Sequence, residues 1–225
     1  MTTDLRNAKA RLYDAWALTA KALASPRRLE LLDILAQGER TVDAIAREAG
    51  LSINNTSAHL KVLKTARLVE SRKTGQFVFY RLADDAVIPV LRAVQTLARR
   101  RQREVDELAR AYVDQRDTLE PINMGELRRR LRSGDVTLID VRPSAEYEAG
   151  HIAGAKSIPL ERLARGLPDI SKRRPVVAYC RGPYCVLSAD AVETLRRRGY
   201  RAVRLVGGLP DWKAAGLPVA VGADR

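Results

Sequence analysis

The sequence is poor in cysteine, aromatics and acidic residues, and has no long apolar run. Two cysteines, Cys180 and Cys185, occur in 225 residues, which excludes the disulfide framework of small secreted domains. Aromatics are 5% of the chain, so aliphatic side chains must fill the core; at 46% hydrophobic, a packed core is affordable and global disorder is excluded. No stretch approaches the ~20 apolar residues of a membrane span. Met1-Thr2-Thr3-Asp4 lacks the charged-then-apolar order of a secretory leader. The expectation is a cytoplasmic protein with no membrane partner. In a reducing cytosol a close cysteine pair is more often reactive or metal-binding than structural. Acidic residues number 27 against 40 Lys and Arg, a net charge of +13 and a pI near 10.2. That surplus points to a polyanionic partner, unless it reflects a generally basic, Arg-rich background.

Hydrophobic spacing divides the chain. Leu12, Ala15, Trp16, Thr19 and Leu23 recur at helical spacing over 7–23. Ser25-Pro26 reads as a cap and first-turn proline before a helix carrying Leu29, Leu32, Ile34 and Leu35 and ending at Gly38. A short helix runs from Thr41 to Gly50. A fourth, capped at Ser52, reaches about Thr65, with Ile53, Thr56, Leu60 and Leu63 inward and Asn54, Asn55, Ser57, His59 and Lys61 outward. The period then changes to two, giving a hairpin that turns at 73–76. Asp84-Asp85 opens a single long helix whose stripe, Val87, Leu91, Val94, Leu97, Val105, Leu108 and Tyr112, reads as a dimer surface. Residues 114–123 are polar, aperiodic and contain Pro121, as a linker would. Beyond them strands at 136–141, 176–179 and 202–205 alternate with helices at 124–132, 160–166, 186–198 and 209–215, as in a parallel α/β sheet. The expected fold is thus two domains: a mainly α winged helix-turn-helix (α+β) over 1–113, a linker over 114–123, and an α/β domain over 124–225.

In the first domain a polar helix precedes a basic hairpin. Such a helix fits the major groove and meets base edges. Asn54 and Asn55 can pair with adenine, and Ser57 and His59 can reach bases or phosphates. Lys61, Lys64, Arg67, Arg72, Lys73 and Arg81 supply charge to the flanking phosphates. Ser52, Thr56 and Gln76 complete the candidate DNA-binding set. Leu51-Ser52, then Thr56-Ser57-Ala58-His59-Leu60-Lys61-Val62-Leu63-Lys64, then Gly75 to Leu82 resemble the ArsR/SmtB family of dimeric bacterial repressors over roughly residues 10–110. The resemblance implies a homodimer that reads a palindromic operator in double-stranded DNA and releases it when an inducer arrives. Many family members sense metal through a Cys-x-Cys in the third helix, where this chain has Thr41 and Asp43. Others use the last helix, which here has Asp84, Asp85 and Glu104 and no histidine. No metal site is expected in this domain, so the inducer must be read elsewhere.

The second domain resembles the rhodanese family over about residues 122–221. The resemblance rests on Leu138-Ile139-Asp140-Val141-Arg142, Glu146-Tyr147, Gly150 to Ala155, Val177 to Gly182, and Gly207-Gly208-Leu209-Pro210-Asp211-Trp212 with Gly216 to Val219. It implies that Cys180 is a persulfide-forming nucleophile, with Arg181, Gly182 and Tyr184 in its loop and Asp140 and Arg142 bracing the sheet. The following helix N-terminus and the loop amides are expected to lower the Cys180 pKa and stabilise a thiolate. Arg181 is a candidate for positioning an anion, Glu146 for a helix-start carboxylate, and His151 for a structural turn residue. Where the family has arginine five residues after the cysteine, this chain has Cys185, and Pro183 removes one loop N–H. Cys185 reads as a resolving thiol that closes a disulfide or polysulfide bridge with Cys180, or as a small packed hydrophobe.

Three functions remain open. One is a regulator, a repressor, that senses a sulfane-sulfur or thiol small molecule through Cys180 and Cys185. Another is a sulfurtransferase acting through Cys180 with an attached DNA-binding module. The third is a metal or arsenite sensor built on the two thiolates. No cofactor is expected.

Overall fold

The structure is a computed structural model that describes residues 2–113, 121–166 and 170–223. The segment 114–120, most of the expected linker, lies outside the described residues. The chain divides into two compact units, Met1–Val87 and Ile88–Arg225.

The first unit comprises α1 (Thr2–Leu23), α2 (Pro26–Leu35), β1 (Arg40–Thr41), α3 (Val42–Ala49), α4 (Ile53–Thr65), β2 (Val69–Thr74) and β3 (Phe77–Leu82). α1 begins five residues before the expected start at residue 7. Arg28 of α2 turns back to donate from Nε to Ala22 O (2.5 Å) and from Nη2 to Lys21 O (2.8 Å), two carbonyls of the last turn of α1. Ser25 occupies the cap position of α2, but its side chain makes no capping bond. The caps of α3 and α4 do form: Thr41 Oγ1 accepts from Ala44 N–H and Ser52 Oγ from Asn55 N–H, both at 3.3 Å. Gly50 closes α3 in the left-handed region, at φ 62°. Leu31, Leu32, Ile45, Leu60 and Leu63 are fully buried and form the core. β2 and β3 pair in antiparallel register around Gly75-Gln76, with Gly75 at φ 58°. β1, which the sequence did not announce, adds a third strand beside β3.

The second unit begins with α5 (Val87–Arg101), whose first residue closes the first unit, and α6 (Arg103–Val113). The sequence predicts one continuous helix here, and the structure interrupts it at Gln102. Arginines occupy 99, 100, 101 and 103 around the break, and like charges at one-turn spacing, as at Arg99 and Arg103, oppose continuation of the helix. The α/β part follows as α7 (Met124–Ser133), β4 (Thr137–Asp140), α8 (Ser144–Ala149), β5 (His151–Ile152), β6 (Lys156–Ser157), α9 (Leu160–Arg165), β7 (Val176–Cys180), α10 (Leu187–Arg197), β8 (Ala202–Gly208), α11 (Leu209–Ala214) and β9 (Val219–Ala220). The main sheet is parallel, in the order β6-β4-β7-β8, and β5 pairs with β9. Ile122 and Asn123, expected in the linker, are already part of this fold. Ile122 bridges Leu205 in parallel, and Asn123 caps α7 by accepting from Glu126 N–H at 2.9 Å.

Alternation along β7 decides where the key sulfur goes. Val177 and Tyr179 enter one core with Leu138, Leu209 and Trp212. Val176, Ala178 and Cys180 enter the other, with Ile139, Ala191, Val192 and Leu195. Successive strand residues must point to opposite faces, so Cys180 shares the face covered by α10 rather than pointing along the strand toward solvent. Among the described residues, no helix is long and apolar enough to cross a membrane.

Candidate functional site: a groove-reading helix and a two-thiol loop

In the first unit, the outer face of α4 carries Asn54, Asn55 and Lys61, all exposed, with Ser57 and His59 half-exposed. Two residues depart from their expected placement. Ile53, expected inward, is exposed as the first residue of α4. Thr56, a candidate DNA contact, is fully buried, and its hydroxyl donates to Ser52 O at 3.0 Å; it belongs to the cap and core and cannot reach a groove. Lys64 Nζ donates to Ser71 Oγ at 2.7 Å, holding α4 to the hairpin. Arg72 binds Glu39, with Nε at 2.7 Å from Oε1, and lies over the Phe79 ring; Arg81 pairs with Glu70 at 2.5 Å. The Arg72 guanidinium lowers the pKa of Glu39. These pairs are solvent-exposed, so phosphates can compete for their arginines. Ser52, Lys73 and Gln76 are exposed.

In the second unit, β7 ends at Cys180 and α10 begins at Leu187; the loop between them holds Arg181, Gly182, Pro183, Tyr184, Cys185 and Val186. The Cys180 side chain is closed to solvent. Its Sγ lies 3.5 Å from Cys185 O and 3.4 Å from Ser188 Oγ. Burial pushes the Cys180 thiol well above its ordinary pKa, and its hydrogen bond to the Cys185 sulfur acts in the same direction. Cys185 is half-buried. Its pKa is lowered to about 7, first by the hydrogen bond from Cys180, then by the N–H groups of Arg181 and Leu187 and the Arg181 charge, all against the cost of burial. This corrects the expectation that the helix N-terminus and loop amides would acidify Cys180. They face Cys185, which sits just before α10, while Cys180 is drawn into the core by strand alternation.

The loop is fixed from three sides. Gly208 of β8 presses on it so closely that a Cβ there would lie 2.4 Å from Cys180 O. Arg181, expected to position an anion, donates instead to Glu146, from Nη2 at 2.5 Å and Nε at 3.2 Å. Glu146, in the first turn of α8, is buried between Arg181 and Arg142. Beneath it Asp140 and Arg142 form a fully buried pair, with Arg142 Nη2 at 2.6 Å from Asp140 Oδ2 and 2.7 Å from Gly150 O. The third side was invisible in the sequence. Arg92 of α5 binds Asp211 of α11, with Nε at 2.6 Å from Oδ1, and its Nη2 lies 2.7 Å from where a Gly182 Cβ would stand. Asp211 also accepts from Gly208 N–H at 2.9 Å. Arg92 and Asp211 are 119 residues apart, and no local pattern could have joined them. Ser188, also unanticipated, offers only a hydroxyl in the first turn of a helix. His151 stacks on Tyr147 with centroids 3.7 Å apart and donates from Nδ1 to Tyr147 O at 3.0 Å, a structural role.

Residues 25–71 match the model of the arsR family of bacterial regulatory proteins, and residues 123–215 match the rhodanese-like domain. The chain is 45% identical over 219 residues to the HTH-type transcriptional regulator Rv0324 of Mycobacterium tuberculosis, covering 96% of this chain and 94% of that protein. The chain belongs to the ArsR family. It is an ArsR-family regulator with a rhodanese-like domain after its winged helix. The regulator is also 37% identical over 86 residues to a sulfurtransferase of Allochromatium vinosum, covering 38% of this chain and 78% of that one. A solution structure of a homodimeric winged helix-turn-helix DNA-binding domain, Mb0332 from Mycobacterium bovis, is 47% identical, with TM-score 0.38, over 40% of this chain and 83% of the other.

Proposed function

We propose that this ArsR-family regulator is a homodimeric repressor whose rhodanese-like loop takes up reactive sulfur and weakens the grip of α4 on an operator. One observation carries the reading: a single loop of a DNA-binding regulator holds two free thiols, one buried and one half-buried, with Cys180 Sγ 3.5 Å from the Cys185 carbonyl. The burial of Cys180 and the donors around Cys185 favour exchanging the roles the sequence implied, so that Cys185 attacks first. Its thiolate attacks the terminal sulfur of a persulfide, R–S–SH; the S–S bond breaks, and R–S⁻ leaves and takes up a proton. Cys180 then attacks the Cys185 sulfur. The outer sulfur departs as H₂S with the Cys180 proton, and a Cys180–Cys185 disulfide remains. The thiols are oxidised and the sulfane sulfur is reduced, so no further oxidant is needed. Arg92 of α5 pairs with Asp211 of α11 and packs against Gly182 of the loop, and α5 follows the wing strand β3 in the chain, which supports α5 as the route from thiol state to DNA.

The likeness to a named sulfurtransferase favours turnover as a second reading. Both are tested together. DNA enriched from a random pool by the reduced protein is titrated before and after treatment with inorganic polysulfide. The regulator reading expects at least a tenfold loss of affinity, reversed by a dithiol reductant and absent in Cys185→Ser. Unchanged affinity after mass spectrometry shows both thiols consumed would overturn it, and steady thiosulfate turnover lost in both cysteine variants would establish the enzyme.

A further inference from the structure

The end of the sheet away from the thiol loop carries an unbalanced charge. β7 and β8 run parallel, with Val176 beside Ala202, so both strands start at the end opposite Cys180, the last residue of β7. Two stretches lead into those starts, 170–176 and 194–202. Together they hold seven Lys and Arg residues and no acid.

The fold knits these stretches together through their own cations. Lys172 Nζ donates to Arg198 O at 2.7 Å, and Arg201 Nη2 donates to Arg173 O at 2.7 Å. Arg198 Nη1 donates to Gly166 O at 2.8 Å, and Lys172 Nζ stands 5.1 Å from the centre of the Tyr200 ring. Carbonyls and a ring orient these cations without cancelling their charge. Among the described residues, Lys172, Arg173, Arg174, Arg198 and Arg201 pair with no carboxylate, and Arg197 pairs with Glu193. Elsewhere in the same unit arginines meet carboxylates: Arg92 meets Asp211, Arg130 meets Glu126, Arg142 meets Asp140 and Arg181 meets Glu146.

Arg196 and Arg197 lie in the last turn of α10, where the helix dipole favours cations. That preference does not account for Lys172, Arg173 and Arg174, all exposed just before β7, or for exposed Arg201 just before β8. Like charges gathered this closely repel one another, and a polyanion relieves the repulsion. The apolar residues of the two stretches are turned inward: Val176, Leu195 and Tyr200 are buried, and among the described residues no large apolar side chain of either stretch is exposed. A surface of charge without an apolar anchor suits a phosphate backbone better than a membrane interface or a protein partner. A duplex held by the winged helix is also at high effective concentration for the domain tethered to it.

We propose that this face of the rhodanese-like domain, built by Lys172, Arg173, Arg174, Arg197, Arg198 and Arg201, binds backbone phosphates of double-stranded DNA without regard to sequence, as a second DNA contact beside α4 and the wing. The inference is independent of sulfur uptake. It gives the C-terminal domain a share of the grip on DNA that does not pass through the bases.

The test uses the full reduced chain and two duplexes of equal length, one enriched from a random pool by the native protein and one scrambled. Affinity is measured by fluorescence anisotropy across a salt series. The variant is Arg173→Gln with Arg174→Gln, two exposed residues whose side chains make no hydrogen bond among the described residues. Each lost phosphate contact removes about 0.9 from the slope of log affinity against log salt, so loss of two charges in each protomer of a dimer should reduce the slope by at least two. Affinity at low salt should fall at least tenfold, and by the same factor on both duplexes. Arg173→Lys with Arg174→Lys, which keeps the charge, should restore the native slope and so excludes misfolding as the cause. An unchanged slope in the glutamine variant overturns the proposal, as does a loss confined to the enriched duplex, which would assign the effect to base reading by α4. Anionic phosphatidylserine vesicles that bind native protein and not the glutamine variant, with the DNA slope unchanged, would give the face to a membrane and overturn the proposal equally.

Discussion

Cys180 and Cys185 form an unequal pair: the Cys180 sulfur is sealed in the core 3.5 Å from the Cys185 carbonyl, and Cys185 is the thiol that helix and loop N–H groups face. The more reactive thiol should therefore be Cys185. Its pKa is lowered to about 7, so its thiolate, and with it its reactivity, rises with pH through about 7 and levels off above. Limited iodoacetamide labelling followed by peptide mass spectrometry should show Cys185 alkylated at least tenfold faster than Cys180 at pH 7.5, with an inflection near 7. Cys180→Ala removes the donor that contributes most to the lowering and should move that inflection upward. Faster labelling of Cys180 would return the first attack to the residue that the sequence favoured.

The strand that ends in Cys180 was legible as a buried apolar run, and the fold around it followed from strand–helix alternation. The direction of the thiol was not. It depends on parity along β7, and that parity is set by which of Tyr179 and Cys180 faces α10, something only the packed sheet decides. β5, β6 and β9 escaped notice because two residues carry no measurable period, and α8 was signalled only by Glu146 at its start. The break at Gln102 escaped because the apolar stripe continues across it on both sides. Thr56 looked available because hydroxyl residues at a helix start suit both a groove and a cap, and burial alone separates the two. The role of Arg92 could not be found at all, since Asp211, its carboxylate partner, lies 119 residues away.

Asp140 and Arg142 offer a test of the sheet's foundation. Both side chains are fully buried, and Asp140 accepts from Arg142 Nε, Nη2 and backbone N–H. Removing the carboxylate leaves a buried guanidinium without its main counter-charge, a loss of about 3–5 kcal/mol. Asp140→Ala should lower the melting transition of the rhodanese-like domain by differential scanning calorimetry and leave the winged-helix transition in place. A shift within error would mean that Glu146 alone satisfies Arg142.

On α4, Asn55 and Lys61 should fail in different ways. Asn55→Ala removes a side chain suited to an adenine edge, and should cost about 1–3 kcal/mol of discrimination against a mutated operator. Lys61→Ala removes an exposed charge proposed to meet a phosphate. It should weaken binding alike on every sequence and reduce the slope of log affinity against log salt by about one. Fluorescence anisotropy on matched and mutated duplexes at several salt concentrations separates the two. Equal losses on both duplexes for Asn55→Ala would remove it from base reading.

The apolar faces of the outer helices need a covering. Leu12, Tyr13, Trp16 and Leu18 of α1 are each at least half exposed, with Tyr13 and Trp16 in edge-to-face contact at 5.0 Å, and Leu97 of α5 is 62% exposed. Isolated exposed hydrophobes are ordinary, but four large ones within seven residues of one helix are characteristic of an interface. In a two-fold dimer each substitution counts twice, because the same patch meets itself. Burying one large apolar side chain contributes about 1.5–3 kcal/mol, so Trp16→Asp should weaken dimerisation by at least ~3 kcal/mol, over a hundredfold. Sedimentation velocity should show native dimer and variant monomer at the same micromolar concentration, with helical content unchanged by circular dichroism. Operator affinity should fall in parallel, because a monomer engages only one half-site. A variant that stays dimeric and binds DNA normally would assign α1 to another surface and leave the dimer to be built by α5 alone.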